Sequence, residues 1–146
     1  MKTAIRPFTL SDKEAVVEVW RACGLTHPNN DPHKDIARKM KVDSEMFLVC
    51  EIGGKIIGTV MVGYEGHRGW INYLGVLPGY QGQGLGRELM ARAEAMLVER
   101  GCAKINLQIR ATNTRVIQFY EGIGFKVDEV VSMGRRLETE NVSHKL

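Results

Sequence analysis

Between Ile71 and Arg100 the chain reads INYLGVLPGYQGQGLGRELMARAEAMLVER: an apolar strand, a glycine-rich turn with no acidic side chain, then a long amphipathic helix. Gly82, Gly84 and Gly86 alternate just where the helix begins. Glycine reaches positive φ and lets a ligand approach main-chain N–H groups with no Cβ in the way. The first turn of a helix leaves its N–H groups unpaired and carries the positive end of the dipole. The junction is therefore predicted to cradle a phosphate or pyrophosphate.

Punctuation elsewhere orders the remaining elements. Thr3 to Phe8 reads as a strand. Ser11 and Glu14 read as a capping box, followed by Ala15, Val16, Val19, Trp20 and Cys23 at helical spacing. A polar loop leads to Asp31-Pro32, which opens a short helix with Ile36 and Met40 on one face. Met46 to Ile52 and Lys55 to Tyr64 read as strands joined by the tight turn Gly53-Gly54, and Trp70 to Val76 as the next. After the glycine turn, Leu85, Leu89, Ala93, Met96 and Leu97 form the stripe of the long helix, which Gly101 ends. Lys104 to Arg110 reads as a strand and Thr112 to Gly122 as a helix closed by Gly124. Phe125 to Leu137 is expected to supply one or two last strands, and residues 138–146 a flexible tail. Hairpins with one strand–helix–strand crossover give a single mixed α/β layer structure.

Composition narrows the partners. A chain of 146 residues is expected to be one domain, burying roughly 70% of its unfolded surface. Hydrophobic and charged fractions of 44% and 25% are those of a soluble globular protein. No apolar run approaches the roughly 20 residues of a membrane span, and the N-terminus lacks the apolar stretch of a signal peptide. Cys23, Cys50 and Cys102 are odd in number and in no ligand pattern, which argues against disulfides or zinc and for a reducing, cytoplasmic compartment. A net charge of +3 with scattered basic residues argues against nucleic acid.

Two phosphate-binding classes fail on missing residues. A Walker A loop needs Gly-Lys-Ser/Thr, and Gly86 is followed by Arg87-Glu88. A dinucleotide fold needs an acid about 20 residues past the glycines, and the next strand ends near Gln108 and Arg110 without one. A third class fits. Gln81-x-x-Gly84-x-Gly86 after Asn72-Tyr73-Leu74-Gly75-Val76 resembles the acyl-CoA signature of the Gcn5-related N-acetyltransferases (GNAT). Asn113 opening a helix, Tyr120 near its end, and Gly122-Ile123-Gly124-Phe125 resemble that family's N…FYxxxGF ending. Gly63 to Gly69 is similar to a small bacterial branch often labelled YpeA.

The resemblance, which covers nearly the whole chain, implies a mainly antiparallel, mixed α/β sheet of six to seven strands with four helices. It implies N-acetyl transfer from acetyl-CoA to a primary amine, in a small molecule or at a protein N-terminus, without metal, nucleic acid or membrane, by a monomer or homodimer. Backbone N–H groups from Gln81, Gly82, Gln83, Gly84, Leu85, Gly86 and Arg87 would hold the pyrophosphate. Leu74, Gly75 and Val76 would open at a bulge and pair with the pantetheine arm, a place that suits a strand glycine. Asn113 would face the same arm and Tyr120 its sulfur, the pair lying about two helical turns apart. Asn29, Asn30, Asp31 and Asp35 would line the acceptor side, although a helix cap explains Asp31 equally well.

Direct transfer is expected, because no Ser or Cys sits in a nucleophile elbow. Tyr120 is the candidate acid for the leaving thiolate; taken alone, beside Val116, Phe119 and Ile123, it would read as core. The strand before the turn lacks the glutamate some members carry, so Glu65 and His67 in the preceding loop are the nearest candidate bases, His67 reading equally as a solvated loop residue. That missing carboxylate keeps a second function open: a non-catalytic acyl-CoA-binding module or sensor.

Overall fold

The computed structural model describes residues 2–138, in two compact units, Met1–Arg110 and Ala111–Leu146. In the first, β1 (Thr3–Pro7), β2 (Phe47–Ile52), β3 (Lys55–Tyr64), β4 (Gly69–Val76) and β5 (Ile105–Leu107) lie side by side in chain order. The first four are antiparallel neighbours, and β5 runs parallel to β4. The Gly53-Gly54 turn has φ of 55° and 81°, values that glycine alone takes without strain.

Helices α1 (Lys13–Ala22) and α2 (Pro32–Lys39) cover one face of the sheet and α3 (Leu85–Glu99) the other. The pleat demonstrates this: a Cβ on Gly58 would meet Leu89 of α3 at 3.2 Å, while Thr59, next along β3, accepts a hydrogen bond from Trp20 of α1. Val16, Val17, Val19, Trp20 and Ile36 form one core with Phe8, Phe47 and Val49. Leu85, Leu89, Met90, Ala93 and Leu97 are buried along α3. Periodicity had placed Ala15 and Met96 on these stripes; Val17 and Met90 are buried instead.

The start of α1 is also built differently from the Ser11/Glu14 cap. A single 3₁₀ turn over Leu10–Asp12 precedes the helix, and Asp12 accepts from the Thr9 N–H at 2.8 Å. Asp12 also takes a two-pronged bond from Arg6 of β1, at 2.8 and 2.9 Å, and Arg6 reaches Glu51 of β2 at 3.2 Å. The cap therefore staples the helix to the sheet edge.

In the second unit, α4 (Thr114–Gly122) is capped by Asn113 and closed by Gly124 at φ 104°. Phe125 N–H donates to Tyr120 O and Gly124 N–H to Glu121 O, the paired bonds of a Schellman ending. The expected last strands are absent: residues 125–138 form neither helix nor strand. An alternating pattern marks faces, but a strand exists only through its ladder. The described sheet therefore has five strands, below the six to seven expected, beside the four helices expected. Residues 139–146, most of the expected tail, lie outside the described residues.

Candidate active site

β4 and the turn after it carry the chemistry. On one side β4 pairs with β3 along most of its length; on the other, β5 accompanies it only from Gly69 to Ile71. From Asn72 to Val76 no described strand pairs with it on that side. This leaves a row of main-chain groups on an open edge, the template on which an extended ligand adds as a strand would.

A bulge begins where the pairing with β5 ends. Thr59 faces Gly75 and Met61 faces Asn72, so Tyr73 and Leu74 together oppose Val60 alone. Tyr73 carries the bulge at φ 53°, costly for an aromatic residue. Three neighbours hold it there. Its ring stacks on Trp20 with centroids 3.7 Å apart. Its carbonyl accepts from Thr59 Oγ1 at 2.8 Å, and that hydroxyl accepts from Trp20 Nε1 at 3.0 Å. Its hydroxyl donates to Asp35 Oδ2 of α2. Burial and the adjacent carboxylate push the Tyr73 phenol well above the ordinary tyrosine value, so it stays protonated.

The bulge lies at Tyr73-Leu74, one residue earlier than the glycine had marked. Gly75 is needed for packing: a Cβ there would meet Leu25 Cδ1 at 2.9 Å and Cys23 Sγ at 3.1 Å. Cys23 Sγ donates to Val76 O at 3.2 Å, and Gln81 Nε2 donates to the same carbonyl at 2.8 Å. Gln81 thus ties the turn back to the strand end.

Beyond a 3₁₀ turn at Pro78–Tyr80, Gln81 is extended, Gly82 and Gly84 take φ of 79° and 83°, and Leu85 opens α3. A Cβ on Gly82 or Gly84 would meet nothing within 4 Å. Both glycines are therefore there for their backbone angle and for access. No side chain among the described residues caps α3, and residues 81–84 are exposed. The first N–H groups of the helix lie open beside the open edge of β4, which fits a diphosphate joined to an extended amide arm.

On α4, Asn113 Oδ1 caps the helix by accepting from the Val116 N–H at 3.4 Å. Tyr120 is buried, packed edge-on against Phe119 and Phe125 at centroid distances of 5.2 and 5.5 Å. Burial raises its phenol to about 12.

Glu65 and His67 do not join this site. They occupy the exposed tip of the β3–β4 hairpin. Four residues of extended chain, about 13 Å, separate the start of β4 from the bulge. Glu65 accepts from the Arg68 N–H at 3.0 and 3.1 Å, and that bond pulls its pKa down, against the upward tuning a base needs. The carboxylate at the bulge is Asp35. Sequence reading had placed Asp35 on the acceptor side but had missed Tyr73, its partner, because a left-handed tyrosine leaves no trace in a pattern.

Comparison with known proteins agrees with this geometry. A Sodalis glossinidius protein named an acetyltransferase is 46% identical over 134 residues, which cover 91% of this chain and 94% of that protein. The ribosomal-protein-S18-alanine N-acetyltransferase of Escherichia coli superposes with a TM-score of 0.71 at 25% identity, over 86% of this chain and 78% of that one. AAC(6′)-Iy, solved with the bisubstrate analog CoA-S-monomethyl-acetylneamine, shares the fold at a TM-score of 0.76 and 18% identity, over 93% and 99% of the two chains. Residues 13–125 match the family described as the Acetyltransferase (GNAT) family. With its open fourth strand and uncapped glycine turn, the chain belongs to that family, the GNAT acetyl-CoA-dependent acyltransferases.

Proposed function

We propose that this protein moves an acetyl group from acetyl-CoA directly to a primary amine, with no acyl-enzyme. The open edge of β4, running into exposed helix N–H groups, carries the reading. Gln81 to Arg87 supply the main-chain donors for the diphosphate, and Leu74 to Val76 the edge for the pantetheine arm. Because the Val76 carbonyl already accepts twice and the Gly75 carbonyl lies on the β3 side, against Gly58, the arm is left to Leu74 for its main-chain acceptor. Asn113 and Tyr120 are assigned to the cofactor arm and its sulfur by the motif they share with the family.

The bound cosubstrate supplies a thioester carbonyl and a thiol leaving group. The protein must supply a neutral amine. A lysine-like amine, pKa about 10.4, is neutral about once in 2,500 molecules at pH 7, a deficit of roughly 4.6 kcal/mol. An α-amine near pKa 8 costs about 1.4 kcal/mol. Tyr73 and Asp35 answer that need. With its hydrogen committed to Asp35, the Tyr73 oxygen offers a lone pair to an ammonium and passes a proton on to the carboxylate. Tyr120, held protonated by burial, donates to the departing thiolate.

A primary-amine acceptor is supported by two structural neighbours, one an alanine N-acetyltransferase and the other bound to CoA-S-monomethyl-acetylneamine. Three free thiols, Cys23, Cys50 and Cys102, support a reducing cytoplasm. Among the described residues no helix is long and apolar enough to cross a membrane.

The test has two arms. Thermal shift should rise with acetyl-CoA and free CoA and stay flat with NAD and ATP. Thiol release should then appear with at least one member of a panel of small amines and N-terminal peptides, and fall in Tyr73→Phe and Asp35→Asn. Binding with no turnover on any amine would instead give the sensor reading, which the lack of a carboxylate on β4 favours.

A further inference from the structure

Helix α2 carries Asp35, yet it is only 8 residues long, about two turns. Its inner face holds Ile36, buried in the core with Trp20 and Phe47. Apolar packing of this kind is non-directional. It holds the helix down without fixing where along the sheet it rests. A second buried side chain on α2 is charged. Lys39, the last residue of the helix, is buried, and its ammonium donates to the Val62 carbonyl of β3. Burial pulls its pKa down, Asp43 and Glu45 push it back up, and Arg100 opposes them. Both of those carboxylates bind Arg100.

An acid four residues before a lysine commonly pairs with it across one helical turn. Asp35 and Lys39 have that spacing, and both turn to other partners. Asp35 accepts from the Tyr73 hydroxyl and, at 2.9 Å, from Arg38 Nη1, while Lys39 goes to the strand. The helix is thus pinned twice, to β3 at Val62 and to β4 at Tyr73, on neighbouring strands that pair Val62 with Ile71.

We propose that Lys39 is a positioning residue for acetyl transfer: its bond to Val62 sets α2 along the sheet so that the Asp35 carboxylate meets the Tyr73 hydroxyl. Burying an ammonium is costly, and what it contributes here is direction. Groups that handle a proton must be held within about 0.5 Å of their working geometry. A short helix resting on apolar contacts alone can roll or slide further than that. This role rests on the reading that Tyr73 and Asp35 take the proton of the amine, and Lys39 acts through Asp35.

Two measurements on the full-length chain separate position from turnover. The Tyr73 hydroxyl proton, assigned as the NMR signal that Tyr73→Phe removes, reports the bond to Asp35 with no substrate present. It should shift and exchange faster in Lys39→Met, which keeps the length but loses the donor, and in Lys39→Gln, which is one atom shorter. In the thiol-release assay, with any amine the parent accepts, kcat should fall about tenfold to a hundredfold in both variants, with KM for acetyl-CoA unchanged. Adding Lys39→Met to Asp35→Asn should cost less than about twofold more, because the two act as one unit. Leu97→Ala, a cavity under α3 on the far face of the sheet, should leave the hydroxyl signal in place. A Tyr73 signal unmoved in both Lys39 variants overturns the proposal. So do losses that multiply in the double variant, a parental kcat in the Lys39 variants where Asp35→Asn loses turnover, or a Leu97→Ala chain that reproduces the shift. If the signal moves while Asp35→Asn turns over at the parental rate, Lys39 still positions Asp35, and it is the proton transfer through Tyr73 and Asp35 that fails.

Discussion

The ring of Tyr73 lies nearly parallel to that of Trp20, 10° apart in plane and 3.7 Å between centroids. This contact joins the first helix to the one residue of β4 whose backbone is left-handed. Stacking, the Thr59 hydroxyl and the Asp35 carboxylate together offset the cost of a positive φ at a tyrosine. What they secure is the bulge in which Tyr73 and Leu74 oppose Val60 alone.

Removing the hydroxyl at the centre of this cluster tests the dependence. Thr59→Val keeps the shape but leaves the Trp20 Nε1–H and the Tyr73 carbonyl without their buried partner. The expected loss is about 2–4 kcal/mol of stability in urea unfolding, since each unsatisfied buried group costs about 1–3 kcal/mol. Affinity for CoA should fall as well, because the bulge loses one of its three restraints. A variant with unchanged stability would mean the hydroxyl merely fills space.

Gly84→Ala and Gly75→Ala should separate two reasons for glycine. At Gly84 there is room for a Cβ, but φ is 83°. Alanine there should cost about 1–2 kcal/mol in backbone strain and weaken CoA binding by disturbing the uncapped turn. At Gly75 the backbone is ordinary and the space is taken by Leu25 and Cys23. Alanine there should destabilise by about 1–3 kcal/mol through overpacking. Urea unfolding beside calorimetric CoA titration distinguishes the two: the ratio of affinity loss to stability loss should be larger at Gly84.

Both glycines were visible in the sequence, yet only one was read for its actual reason. Features fixed by local chemistry were legible: the Gly53-Gly54 hairpin, Pro32 at the start of α2, the left-handed Gly82 and Gly84 before α3, and Gly101 and Gly124 after their helices. Features that depend on partners distant in the chain were not. Tyr73 bulges because Trp20, Thr59 and Asp35 hold it, and nothing near position 73 announces this. Glu65 and His67 looked close to the chemistry because they are close in sequence, whereas β4 carries the site away from them. Lys39 of α2 is buried, its ammonium donating to the distant Val62 carbonyl of β3. Phe125 to Leu137 has a strand's alternation but forms no strand among the described residues.

The Arg6–Asp12 pair should govern stability in acid. The two-pronged bond from Arg6 holds the Asp12 carboxyl below its ordinary value, against the opposing effect of burial. A depressed carboxylate contributes fully above the unfolded pKa, about 4, and its contribution drains away as pH falls through the lower folded value. Asp12→Asn should therefore cost about 2 kcal/mol at neutral pH and flatten the acid limb of the stability curve below about pH 4. Urea midpoints from neutral to strongly acid pH measure both. An unchanged acid limb would assign the pH dependence to other carboxylates.

Tyr120 should behave as a proton donor that never titrates in the working range. Burial raises its pKa from 10.0 to about 12, favouring the neutral phenol in the folded state. The sign follows: the stability this group confers is whole below pH 10 and is lost as pH climbs towards 12. For catalysis, Tyr120→Phe removes the proton but keeps the ring that packs on Phe119 and Phe125. Turnover in the thiol-release assay should drop about a hundredfold, with KM for acetyl-CoA nearly unchanged, since a positioned general acid contributes 10²–10⁴-fold at most and the ring still fills its space. Thiols leave unaided more readily as their pKa falls, so an acyl donor with a more acidic leaving thiol should recover much of the lost rate. If Tyr120→Phe turns over normally, or if the deficit is the same for both donors, Tyr120 is core and the leaving group finds its proton elsewhere.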